Sequence, residues 1–261
     1  MKQVISKDGT VIAFDWSGQG QPIILVDGAL CSRSFGTMPK LVPLLAEHFS
    51  VISYDRRGRG GSGDTAPYAV EREVEDLNAL IEAAGGSVFV FGVSSGAALA
   101  LSAAASGLCI EKLALYEPPY VAQEGDRRPP ADSEFQLRRI LAEGRRGDAV
   151  KFFMKDIVGM PAIIPNIMRF LPVWSKLKAV AHTLPYDAAV MGDFSLPMKS
   201  IGSVTIPATV IGGEKSPASL RHAVSAVADV LLHAKRVVLK GQRHNVSAQV
   251  LAPVLVEFFA G

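Results

Sequence analysis

Val88-Phe89-Val90-Phe91-Gly92-Val93-Ser94-Ser95-Gly96-Ala97-Ala98-Leu99-Ala100 is the stretch whose reading decides the fold. Its first six residues form an unbroken apolar run rich in valine and phenylalanine, as expected of a strand covered on both faces. From Ser95 to Ser106 the chain is dominated by alanine, a strong helix former small enough to pack closely on a sheet. No loop separates the two, so the strand must pass into the helix through Gly92-Val93-Ser94-Ser95-Gly96. A G-x-S-x-G pentapeptide is common by chance, but on a strand-turn-helix it acquires a mechanical sense. So tight a turn needs small residues beside the serine, and it lifts the Ser94 hydroxyl above the sheet as a candidate nucleophile. The dipole of the following helix favours negative charge developing there. The alternative is a glycine-rich turn whose serine only caps the helix.

Working outward, apolar runs alternate with helical patterns, the rhythm of βαβ units and a parallel sheet. Strands are expected at Val11–Trp16, Pro22–Val26, Phe49–Tyr54, Val88–Val93 and Ile110–Tyr116. Helices are expected at Met38–Ala46 and Tyr68–Ala84, the second with Val70, Val74, Leu77 and Ile81 on one stripe and Gly85-Gly86 as its stop. From Glu117 to about Ile206 the rhythm breaks, and nine prolines from Pro118 to Pro197 cut the segment into short helices. It then resumes with a strand at Ala208–Ile211, a helix at Ser219–Val230, a strand at Arg236–Leu239 and a helix at Gln249–Phe259. The expected organisation is an α/β core of residues 1–117 and 207–261 carrying a helical cap insertion at 118–206.

Composition narrows the class. A hydrophobic fraction of 49% and a charged fraction of 20% are those of a globular protein. Lys plus Arg (27) nearly balances Asp plus Glu (25), which argues against nucleic acid or an anionic membrane as partner. Cys31 and Cys109, the only two cysteines, provide no zinc framework and read as small buried apolar side chains. Met1–Thr10 has no apolar core of a signal peptide, and no run reaches the roughly 20 apolar residues of a membrane span. A cytoplasmic enzyme is expected, its oligomeric state open.

A serine hydroxyl needs an adjacent base to become a nucleophile. Of five histidines, His244 has the position for it, in Gly241-Gln242-Arg243-His244-Asn245 between the last strand and the last helix. His48, His182, His222 and His233 read as solvated or structural imidazoles.

Together the elbow, the order Ser94 before His244, and Asp55-Arg56-Arg57-Gly58-Arg59-Gly60-Gly61-Ser62 resemble the α/β-hydrolase superfamily. The resemblance runs from about Val11 to Phe259 and is weak within 118–206. It implies the α/β-hydrolase fold: a mostly parallel central sheet, helices on both faces and an inserted helical cap. It assigns the oxyanion hole to the backbone N–H groups of Ala29 and Ser95. The family's usual His-Gly is here Asp27-Gly28, a swap that leaves backbone donors intact. Its usual triad aspartate in a Gly-x-x-Asp context is replaced by Ser216, in Gly213-Glu214-Lys215-Ser216-Pro217. Because the superfamily also accepts an acid at the end of the sixth strand, Glu117 becomes the first candidate and Glu214 the second.

Gly58-Arg59-Gly60-Gly61-Ser62-Gly63 matches a dinucleotide fingerprint but does not follow its strand at once or open a helix, so no nucleotide is expected. Five of the seven methionines (Met154, Met160, Met168, Met191, Met198) fall in 118–206 with Phe152, Phe153, Phe170, Trp174 and Phe194. Most should pack in the core, and some should face Ser94 as an adaptable apolar lining. Arg127-Arg128, Arg138-Arg139 and Arg145-Arg146 read as solvated surface. The expected activity is cleavage of a small, fairly apolar carboxylic ester, lactone or thioester, with no metal or organic cofactor. A non-hydrolytic lyase or cyclase and a ligand-binding receptor on the same fold remain as alternatives.

Overall fold

The computed structural model describes all 261 residues. One eight-stranded sheet runs through it in the order β1-β2-β4-β3-β5-β6-β7-β8. The strands are β1 (Lys2–Ile5), β2 (Val11–Ser17), β3 (Pro22–Val26), β4 (Ser50–Tyr54), β5 (Val88–Val93), β6 (Ile110–Tyr116), β7 (Ala208–Gly213) and β8 (Ala234–Leu239). β1 and β2 are antiparallel to their neighbours, and every other pairing is parallel. The expected α/β-hydrolase fold is therefore present, with strands and helices close to their expected limits.

The apolar runs are explained by coverage on both faces. Ile23 and Leu25 of β3 face one layer, built with α1 (Met38–Leu45) and α11 (Ala248–Ala260). Ile24 and Val26 face the other, built with α2 (Val70–Ala83), α3 (Ser95–Ala105) and α10 (Ala218–Val230). β1 was not legible in the sequence. It lies at the sheet edge, mostly exposed, so it has no buried face to impose an apolar pattern. The opposite edge, β8, keeps Lys235 and Arg236 exposed, which discourages pairing with another chain.

Between β6 and β7 lie α4 (Ser133–Ala142), α5 (Arg146–Phe152), a π-helical turn (Phe153–Ile157), α6 (Ile163–Met168), α7 (Val173–Ala179), a 3-10 turn (Ala181–Thr183), α8 (Leu184–Met191) and α9 (Met198–Gly202). The Val121 N–H donates to the Phe194 carbonyl at 2.8 Å, drawing the two ends of this segment together. Leu137, Val150, Met154, Trp174, Leu177 and Leu184 pack inside it, whereas Phe170 and Met198 are exposed. Of the two cysteines expected to be buried, Cys31 is only half-buried and Cys109, beside the start of β6, is exposed. The paired arginines of this segment lie at the surface, as expected. No helix is long and apolar enough to cross a membrane.

The loop after β4 is unusual in its charge. Gly60 is required there, because a Cβ would fall 2.1 Å from Asp55 Oδ2. Arg56, Arg57 and Arg59 are all buried, against Glu73 and Asp76 of α2 and Asp187 of α8. Arg57 makes two bonds to Asp76, Nη2 to Oδ1 at 2.6 Å and Nε to Oδ2 at 2.8 Å, and reaches Asp8 at 2.9 Å. Removing one partner of a buried pair strands the other charge, typically at about 3–5 kcal/mol. Asp76→Ala should therefore lower the urea midpoint of unfolding strongly, while a shift typical of a surface change would refute the pairing.

Candidate active site

The turn that carries Ser94 is as tight as the pentapeptide demands. Ser94 adopts φ 57° and ψ −127°, a region that costs a non-glycine residue free energy and persists only where neighbours enforce it. They do. A Cβ on Gly92 would come within 2.5 Å of the Gly96 carbonyl oxygen, and one on Gly96 within 2.3 Å of that of Val26. The Ser94 N–H donates to the Tyr116 carbonyl at 2.9 Å, tying the turn to the end of β6. Ser95 opens α3, where the first N–H groups have no acceptor within the helix.

Glu117, the next residue after β6, has no exposed surface and a positive φ of 46°. Its N–H donates to the Ile211 carbonyl at 3.0 Å, and its Oε1 accepts the Gly213 N–H at 2.7 Å. Oε2 lies 2.7 Å from His244 Nδ1. With a carboxylate as acceptor, Nδ1 carries the proton and Nε2 the lone pair. The His244 side chain is 39% exposed, and its Nε2 makes no hydrogen bond within the protein, to Ser94 Oγ or to any other group. The preceding residue is fixed too, since the Tyr116 hydroxyl donates to the Arg243 carbonyl at 2.7 Å. Glu214, the second candidate acid, is turned elsewhere: its Oε2 accepts the Gly241 N–H at 2.8 Å. Ser216 is buried with its hydroxyl unpaired. Thus Glu117 and His244 are brought together, and Glu214 is not part of the pair.

On the other side of the turn, Gly28 is pressed against Ser94. A Cβ on Gly28 would lie 3.1 Å from Ser94 Cβ and 3.7 Å from its Oγ. Ala29 follows at once, and its N–H donates to no backbone carbonyl. Asp27 is buried, its Oδ1 accepting the Gly28 N–H at 2.8 Å while Oδ2 has no partner. Burial raises its carboxyl to about 6, against lowering contributions from the Gly28 N–H and the Arg59 charge.

Two guanidiniums and two carboxylates lie directly behind this loop. Arg56 makes a two-pronged contact with Glu73 (2.6 and 2.7 Å) and reaches Asp187 Oδ1 at 2.7 Å. Arg59 donates to Asp187 Oδ2 at 2.7 Å, to the Gly28 carbonyl at 2.7 Å and to Thr183 Oγ1 at 3.1 Å. The Ser95 hydroxyl donates to Asp187 Oδ1 at 2.8 Å. Burial alone would raise the Asp187 carboxyl, yet Arg59 and Arg56 hold it below the ordinary carboxylate range.

A model of the alpha/beta hydrolase family matches residues 23–253, nearly the whole chain. The chain belongs to that family. An alpha/beta hydrolase from Sphaerobacter thermophilus DSM 20745 is 54% identical, superposes with a TM-score of 0.92, and the match covers 99% of this chain and 100% of that one. A thermophilic esterase from Thermogutta terrifontis, 20% identical with TM-score 0.71 over 99% and 97% of the two chains, shares the fold. A 2-hydroxy-6-oxo-6-(2'-aminophenyl)hexa-2,4-dienoic acid hydrolase from Metapseudomonas resinovorans is 30% identical over 105 residues. That match spans 39% of this chain and only 36% of the enzyme.

In this α/β hydrolase, reading the sequence alone missed Arg56, Arg59, Glu73 and Asp187. A trace of the first three was present. Glu73 and Asp76 lie on the buried stripe of α2 with Leu77 and Leu80, and arginines following β4 are their natural partners. Asp187 left no such trace, because its arginine partners are more than a hundred residues away in sequence.

Asp27 makes stability depend on pH. Between about pH 4 and pH 6 the folded chain keeps a proton that the unfolded chain has lost, so stability falls as pH rises through that window. Asp27→Asn keeps the Gly28 bond and removes the buried charge. Urea titrations should find it more stable than the parent at pH 8, by up to about 3 kcal/mol, with the gain vanishing near pH 4. An equal difference at both pH values would refute the assignment.

Proposed function

We propose that this α/β hydrolase is a serine hydrolase, cleaving a small, fairly apolar carboxylic ester, lactone or thioester through an acyl-enzyme. The reading rests on one observation: a carboxylate without exposed surface, Glu117, holds His244 Nδ1 at 2.7 Å, leaving Nε2 free as a base. The strained turn at Ser94 supports the assignment of its hydroxyl as nucleophile.

In the first step Ser94 Oγ bonds to the substrate carbonyl carbon, its proton passes to His244 Nε2, and the carbonyl π pair moves onto oxygen. The Ala29 and Ser95 N–H groups receive that oxyanion, each such donor being typically worth about 3 kcal/mol. Glu117 stabilises the imidazolium formed beside it. Collapse breaks the bond to the alcohol or thiol, which takes the proton from Nε2 as it leaves. A water molecule then repeats the sequence on the acyl-enzyme, releasing the acid and restoring Ser94. No metal or organic cofactor takes part in these steps. The segment 118–206 serves as the cap over this site in our reading.

A neutral substrate is supported by the bookkeeping of charge. Arg56 and Arg59 are consumed by Glu73, Asp187 and the Gly28 carbonyl, and Asp27 adds a carboxyl nearby. The partial match to the hexadienoic acid hydrolase favours a second reading, in which the substrate is an oxo-dienoic acid rather than an ester.

Fluorophosphonate labelling and p-nitrophenyl ester cleavage test the proposal, with a 6-oxo dienoic acid included in the screen. Both signals should be present in the parent and vanish in Ser94→Ala; a folded parent that neither labels nor cleaves any of these substrates overturns it. Glu117→Gln should lower kcat about 10³- to 10⁴-fold while folding normally, as loss of the orienting acid does in such triads. Glu214→Gln should stay near the parent rate, and the reverse pattern would move the acid role to Glu214.

A further inference from the structure

We propose that Arg59 and Asp187 are positioning residues of the oxyanion hole, so that a helix between β6 and β7 sets the geometry of the catalytic peptides. The proposal rests on the serine-hydrolase reading above and adds residues to which that reading gives no part in the chemistry.

The peptide joining Gly28 to Ala29 carries the Ala29 N–H on one side and the Gly28 carbonyl on the other. A peptide unit is planar and trans, so its C=O and N–H point in opposite directions. Arg59 Nη1 donates to the Gly28 oxygen at 2.7 Å from one side. The Ala29 N–H of the same unit is thereby aimed away from Arg59, and Gly28 itself is packed against Ser94. A cationic donor on the carbonyl also polarises the unit and strengthens its N–H as a donor.

Arg59 is held on all its working faces. Nε donates to Thr183 Oγ1 at 3.1 Å and Nη2 to Asp187 Oδ2 at 2.7 Å, both acceptors coming from the segment between β6 and β7. Asp187 also accepts the Ser95 hydroxyl at 2.8 Å, fixing the side chain of the residue that supplies the second donor. One buried carboxylate on α8 is therefore tied to both oxyanion peptides, through Arg59 to Ala29 and directly to Ser95. A lysine at 59 carries all its donors on one nitrogen and could not reach three acceptors that Arg59 meets from Nε, Nη1 and Nη2 separately.

Arg57 supplies the comparison. It is as buried as Arg59 and pairs with Asp76 and Asp8, but makes no bond to Gly28, Ser95 or Asp187. The experiment measures kcat, KM, thermal midpoint and inhibition by a trifluoromethyl ketone, which forms a tetrahedral oxyanion on serine, in Arg59→Lys, Asp187→Asn and Arg57→Lys. We expect Arg59→Lys and Asp187→Asn to lower kcat about 10- to 100-fold with KM nearly unchanged, and to weaken the ketone by a similar factor. Arg57→Lys should lower the thermal midpoint and leave kcat and the ketone unaffected. Should Arg59→Lys fail to fold, Thr183→Val removes a single acceptor from the guanidinium and should show a smaller loss in kcat and ketone affinity. An active parent whose folded Arg59→Lys or Thr183→Val keeps full kcat and ketone affinity overturns this proposal alone. Losses in kcat that merely follow the thermal midpoint, equally for Arg57→Lys, overturn it as well. A parent that cleaves nothing overturns the serine reading and this one with it.

Discussion

The Glu117 carboxylate is the constraint around which the ends of β6, β7 and β8 are arranged. It has no exposed surface, so each oxygen must find a donor or cost the fold several kcal/mol. One is met by the Gly213 N–H at the end of β7, the other by His244 Nδ1 in the loop after β8. Its backbone stands at a positive φ, and the residue before it accepts the Ser94 N–H. A single side chain thus fixes the ends of three neighbouring strands and the tautomer of the histidine together. Moving the acid from β7 to β6 leaves this logic intact, because the two strands are adjacent in the sheet. The slot left behind holds Ser216, whose buried hydroxyl finds no partner.

The opposite half is governed by paired charge. Arg56 and Arg59 with Glu73 and Asp187 form a balanced buried group, and Arg57 with Asp76 forms a second beside it. Buried pairs seldom add net stability over apolar packing of the same volume, so what such a group gives is direction. Here it has a consequence for the carbonyl of Gly28, which ends in Arg59 rather than in water. Asp27 sits at the edge of this region, and its raised carboxyl records burial that the Gly28 N–H and the Arg59 charge offset only in part.

The fold was readable because two-sided burial writes continuous apolar runs into the strands, and because Gly92 and Gly96 are places where nothing larger fits. β1 was unreadable for the complementary reason, since an exposed edge strand is under no such pressure. At the site, Ser94 and His244 stand out in sequence by their position between elements. Glu117 was reachable only through the family resemblance: β7, which carries Glu214, lies nearer the histidine loop, yet Glu214 accepts the Gly241 N–H and Glu117 takes the imidazole. Asp187 was beyond reach, because nothing local in α8 marks an aspartate as the partner of arginines on a loop far upstream.

The central claim, that Ser94 is acylated and then released with the help of His244, is tested most directly by weighing the protein during turnover. Rapid acid quenching of the parent with an activated short-chain ester, followed by intact mass measurement and digestion, should find the acyl group on the peptide that carries Ser94. His244→Ala should show no such adduct on that timescale. Turnover of the ester with no adduct at Ser94 at any quench time, or an adduct on a different residue, would contradict the account.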